Sequence, residues 1–158
     1  MPARLAIALV LAALGPVLSQ AAAQEQRRWI AHIDNDTAIL AFGTPDSDDT
    51  AFLLHCGKRD KSASLTVFEE VADMPPGRDI TITLSAGGGS TQIPAQTATD
   101  DLMEFTYGRA ETVAVAAVLD ILRRDGALAV AMGKTRARYP AAGRAEAVAE
   151  FAAGCGLR

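Results

Sequence analysis

Ile80-Thr81-Ile82-Thr83-Leu84-Ser85 alternates large aliphatic and small hydroxyl side chains without a break. Successive side chains of a strand point to opposite faces, so Ile80, Ile82 and Leu84 share one face and the hydroxyls share the other. A helix would scatter the same residues around its surface. A strand with one apolar and one polar face belongs in an antiparallel sheet that covers a core and meets water on its other side. The threonines are therefore expected in solvent. Ala86-Gly87-Gly88-Gly89-Ser90 follows as a hairpin tip, and residues 91–98 return as the partner strand. Pro94 has no amide donor, which predicts an edge position for that strand.

The same reading extends toward the N-terminus. Residues 29–33, 38–42, 51–56 and 65–68 are expected strands, separated by the Asp34-Asn35-Asp36 turn, an acidic loop from Gly43 to Asp49 and a lysine-rich connection from Gly57 to Ser62. On the third strand Phe52, Leu54 and Cys56 share a face. Residues 102–107 are expected to add another strand. The C-terminal third changes period: Val118, Leu119, Ile121 and Leu122 have helical spacing and stop at Gly126. Residues 128–132 and 136–139 form an expected hairpin. A last helix opens at Gly143 and runs to about Gly154. There Val148, Phe151 and Cys155 fall on one stripe. The expected fold class is α+β: an antiparallel β-sheet or sandwich in the first two thirds, with two C-terminal helices, the last packed on the sheet.

Arg4, the apolar run from Leu5 to Leu18 and Ala21-Ala22-Ala23 have the order of an export signal with a small-residue cleavage site. The run is shorter than the roughly 20 residues a bilayer-spanning helix needs, and Gly15 and Pro16 interrupt it. The expected organisation is a signal peptide at 1–23 and a single exported α+β domain at 24–158, located in the periplasm or secreted, with no stable membrane insertion after cleavage. The chain carries 15 basic and 19 acidic residues. Loss of Arg4 leaves 14 against 19, a net charge of −5. An acidic balance excludes nucleic acid as the expected partner, because phosphates demand a basic surface.

Two cysteines, Cys56 and Cys155, are the whole complement. An even count in an exported chain points to a bridge, and both positions face the expected core. Closing a loop of this length is worth on the order of 4 to 5 kcal/mol in the chain-entropy model.

The remaining chemistry-bearing residues form no catalytic, cofactor-binding or metal constellation, and none is expected. Asp34, Asp36, Asp46, Asp48 and Asp49 lack the glycine and distal glutamate of a calcium loop. His32 and His55 lack zinc-site spacing. Gly133-Lys134-Thr135 lacks the earlier glycine of a phosphate loop, since position 128 is Leu. Lys58, Arg59 and Lys61, with Arg136, Arg138 and Arg144 farther on, read as solvated basic patches. Arg136, Arg138 and Tyr139 are placed where they would line an exposed ladder edge.

Trp29, Leu53-Leu54-His55-Cys56 and the closing Gly143, Ala147, Phe151 and Cys155 give the chain a layout that resembles small bacterial periplasmic proteins, including type VI secretion accessory proteins of the VasI type. The resemblance implies a structural role for Cys56 and Cys155. The Gly87–Gly89 hairpin and the alanine-rich last helix depart from it. The expected function is non-enzymatic binding of a protein or envelope partner through a sheet face or edge. The competing expectation is a small hydrolase using carboxylates of the Asp34 to Asp49 region as acid and base.

Overall fold

The computed structural model describes residues 27–60, 62–99 and 105–157; the expected signal peptide lies outside them. Within them the elements are β1 (Arg28–Ile33), β2 (Thr37–Gly43), β3 (Thr50–Gly57), β4 (Ala63–Val67), β5 (Asp79–Ala86), β6 (Gly89–Ala98), β7 (Tyr107–Ala110), α1 (Val115–Leu122), β8 (Leu128–Met132), β9 (Thr135–Tyr139) and α2 (Arg144–Cys155). All nine strands join one antiparallel sheet in the order β1-β2-β3-β4-β7-β6-β5-β8-β9. The sheet curls into a half-barrel. A sandwich is thus replaced by one sheet whose concave face holds the core, and the α+β assignment stands.

β5 keeps its alternation: Ile82 and Leu84 are fully buried, while Thr81 is exposed and Thr83 and Ser85 are half-buried. Gly87 and Gly88 make the tight turn into β6 at φ of +50° and +77°, where a side chain would be strained. The expectation that Pro94 marks an edge strand is corrected, since β6 lies between β5 and β7. Its physical basis survives locally. β7 pairs only Gln96, Thr97 and Ala98, so Pro94 lies where β6 has no partner on that side and its missing donor breaks no ladder.

The expected strand at 102–107 is also corrected. Residues 102–104 lie outside the described set, Phe105 and Thr106 are not strand, and β7 begins at Tyr107. β7 pairs with β4 on one side and β6 on the other, so the chain leaves β4, forms the β5-β6-β7 meander and returns to the middle of the sheet.

Both helices are enlisted by the core. α1 packs under β5 and β6, α2 under β1 and β2, and the helices touch each other. Phe151 is fully buried and Val148 is 1% exposed, as their stripe requires. α2 ends in a Schellman turn: the Gly156 amide donates to Ala153 O at 3.1 Å and the Leu157 amide to Ala152 O at 2.8 Å, with Gly156 at φ +71°. Gly154 lies against Ile33 of β1, where a Cβ would collide with its aliphatic branches.

Cys56 on β3 and Cys155 on α2 come together as a disulfide, with Cα atoms 6.0 Å apart and a sequence separation of 99. The bridge ties the last helix to the sheet, and it fits an oxidising compartment.

Arg144 corrects the reading of a solvated patch. It is 2% exposed, and its guanidinium donates to Leu122 O at 2.9 Å, Arg124 O at 2.5 Å and Gly126 O at 2.8 Å. These carbonyls lie at the end of α1, where helical acceptors go unpaired and the helix dipole favours a cation. Burial lowers the Arg144 pKa and the nearby Asp125 opposes that shift. The side chain fastens the start of α2 to the end of α1.

Candidate binding edge

The curl brings the two ends of the sheet face to face without joining them. β1 and β9 are the terminal strands and share no ladder. Side chains bridge the gap instead. Trp29 Nε1 donates to Pro140 O at 2.7 Å. The Tyr139 ring packs on Phe42 at a centroid distance of 5.0 Å, and meets Trp29 at 6.3 Å and Phe52 at 6.2 Å near-perpendicular. The end of β9 is pinned to the start of β1, Thr135 Oγ1 at its beginning donates to Glu70 O at 2.6 Å, and β8 is its one ladder partner.

A groove of about 570 Å³ opens along this seam, lined by Arg27, Phe42, Glu69, Ala127 and the consecutive residues Arg136, Ala137, Arg138, Tyr139 and Pro140. Neighbouring side chains of a strand point to opposite faces. A run of consecutive residues therefore meets one cavity only where the cavity touches the strand's backbone edge. Arg136 and Arg138 project to the outer face and are exposed, whereas Tyr139 is buried. The Arg136 guanidinium also donates to Gly133 O and Thr135 O, both at 2.8 Å, which braces the β8-β9 turn.

The groove floor carries a polar network. The Tyr139 hydroxyl donates to Glu69 Oε1 at 3.0 Å; burial, then the Glu69 carboxylate, pushes its pKa up. Arg27 pairs with Asp49, whose other oxygen accepts from Thr44 Oγ1 at 2.7 Å. The hydrogen bond between Arg27 and Asp49 raises the Arg27 pKa and, ahead of the Thr44 bond, lowers the Asp49 pKa. Glu69 was missed in sequence because it follows β4 in a connection without periodic pattern, and only the curl sets it beneath Tyr139.

The acidic residues singled out in sequence do not converge. Asp34 builds the β1-β2 turn, accepting from the Asp36 and Thr37 amides at 2.8 and 2.7 Å and from Thr37 Oγ1 at 2.8 Å. These bonds, the Thr37 hydroxyl first, hold its pKa down at about 2. Asp46, Asp48 and Asp49 belong to the β2-β3 loop at the other end of β2. That strand is 7 residues long, so at about 3.4 Å per residue the loops stand on the order of 20 Å apart. Paired catalytic carboxylates work at roughly 5 to 10 Å.

The basic loop of Lys58 and Arg59 folds back on the acidic turn: Lys58 Nζ donates to Asp34 O, and Arg59 pairs with Asp36 at 2.8 Å. Lys61 lies outside the described residues. His32 and His55 flank Ile39 in one cross-strand row of the outer face, about 10 Å apart at two strand spacings. Among the described residues, no group of three or more His, Cys, Asp or Glu side chains is arranged to hold a metal ion. Gly133-Lys134-Thr135 spans the β8-β9 turn. Among the described residues no helix is long and apolar enough to cross a membrane. No protein-family model, curated protein or solved structure matches the chain.

Proposed function

We propose that the protein is a non-enzymatic periplasmic binding or accessory protein that engages a protein or envelope partner through the open edge of β9. The observation that carries this reading is the seam groove, which meets five consecutive residues of the β9 edge and its exit. An exposed ladder edge offers main-chain donors and acceptors to an extended segment, and a flanking groove offers pockets for its side chains. The export-signal pattern at 1–23, the Cys56–Cys155 pair and the VasI-type layout support an envelope location. The two acidic loops at opposite ends of β2 give the hydrolase alternative no shared site.

A photo-reactive amino acid placed at Arg138 of the full-length exported protein tests the reading. It is expected to give a discrete adduct in cells, while the same probe at Arg109, on β7 in the middle of the sheet, gives none. Adducts from Arg109 without any from Arg138 would remove β9 as the site.

A further inference from the structure

We infer that the segment β9 accepts is an extended strand of alternating acidic and apolar residues supplied by another protein. The inference rests on the proposed use of the β9 edge and adds the chemistry of its occupant. Residues 126–143 carry Lys134, Arg136 and Arg138 and no acidic residue, although the chain as a whole has a net charge of −4. Arg136 and Arg138 occupy alternate positions of β9 and share its outer face. A strand paired beside β9 sets every second side chain directly next to them. Cross-strand neighbours of opposite charge stabilise a sheet, and like charges oppose it.

The intervening positions of such a strand turn inward. There they meet Ala137, Tyr139 and Phe42, beside Glu69 and Arg27, whose charged groups are engaged by the Tyr139 hydroxyl and Asp49; the aliphatic and aromatic part of this lining favours apolar side chains. The required alternation is therefore acidic outside and apolar inside. The same arginines disfavour a second copy at this edge, because two β9 strands paired in register bring their arginine rows together. Basic residues on an edge strand are a recognised defence against self-association. Here they also select the partner.

A short synthetic peptide alternating glutamate and valine, labelled with a fluorophore, tests the inference by anisotropy on the full mature protein. Its lysine-and-valine counterpart and an uncharged serine-and-valine counterpart serve as comparisons. The acidic peptide is expected to bind at least tenfold more tightly than either, to weaken as salt rises, and to lose at least tenfold in affinity with Arg136→Glu plus Arg138→Glu. The unfolding midpoint of that variant should fall only slightly below the wild type, since both side chains are exposed and the Arg136 bonds that are lost brace an exposed turn. Equal binding of the three peptides, or preference for the lysine peptide, overturns the acidic assignment. So does the absence of peptide binding when the Arg138 photo-probe still captures a partner, and that result leaves the β9 reading standing. A concentration-dependent dimer abolished by the double substitution would assign the edge to a second copy and overturn the inference.

Discussion

β1 and β9 hold equivalent places at the two ends of one sheet, yet the molecule treats them differently. β1 is backed by α2, Gly154 lets that helix close on Ile33, and the Cys56–Cys155 bridge locks the helix two strands farther in. β9 is held by side chains alone beyond its ladder with β8, through Tyr139 and Pro140 at its end and a Thr135 hydroxyl bond to Glu70 O at its start, while Thr135 and Ala137 are only half-buried. One end of the curl carries the covalent clasp and a helix, and the other carries exposed arginines and a groove. The two ends meet at the seam, but the clasp is level with Ile33 at the end of β1 and the groove lies at its Trp29 end, so substitutions at the clasp should leave the groove nearly untouched.

The largest expected effect is at the clasp. Replacing both cysteines, Cys56→Ser with Cys155→Ser, should cost about 4 kcal/mol through lost chain closure, and hydroxyls in a dry core add to that. Denaturant unfolding under non-reducing conditions measures it. Binding at β9 should persist wherever the variant remains folded. A loss below 1 kcal/mol would mean that the helix is held by packing alone.

Arg144→Met comes next, at about 2 to 3 kcal/mol, because three carbonyls at the end of α1 lose their donor. Removing a buried guanidinium returns some desolvation energy and keeps the cost below that of a broken ion pair. Unfolding in urea reports it. An unchanged midpoint would show that water replaces the guanidinium.

Gly154→Ala should destabilise by about 1 to 2 kcal/mol. The helix gains about 1 kcal/mol of propensity from the change, but the new methyl collides with Ile33 and forces α2 away from β1. A gain in stability would show that Ile33 can move aside and that the close approach is dispensable.

The smallest effect is at the exposed β1-β2 turn. The Asp34 pKa is depressed to about 2 in the folded chain. Its turn bonds therefore contribute fully above the ordinary carboxylate range near 4 and fade as pH falls toward 2. Asp34→Asn, whose amide nitrogen cannot accept from Thr37 Oγ1, should lower stability slightly at neutral pH and flatten the acid limb of a stability-versus-pH curve over that window. An identical acid limb would remove Asp34 from the account.

The sequence made the strands legible wherever a side-chain period existed. The alternation of β5, the Phe52-Leu54-Cys56 face and the stripe of α2 all rest on local pattern, and the core sits where those patterns point. Topology was not local in the same way. Pro94 signals a missing donor at one position, and only the short pairing partner β7 shows why an interior strand tolerates it. Arg144 looks like any exposed arginine until α1 is seen to end beside it. Arg136, Arg138 and Tyr139 could be assigned to a ladder edge from their alternation, but Glu69, Arg27 and Phe42 join them only through the curl.

Hydrogen–deuterium exchange of the protein with its photo-captured partner bound tests the central claim most directly. The account predicts added protection at the amides of Thr135–Tyr139, with β1 and the outer face of β2 and β3 unchanged. Protection spread over β1 to β3 with β9 exchanging as in the isolated protein would contradict it.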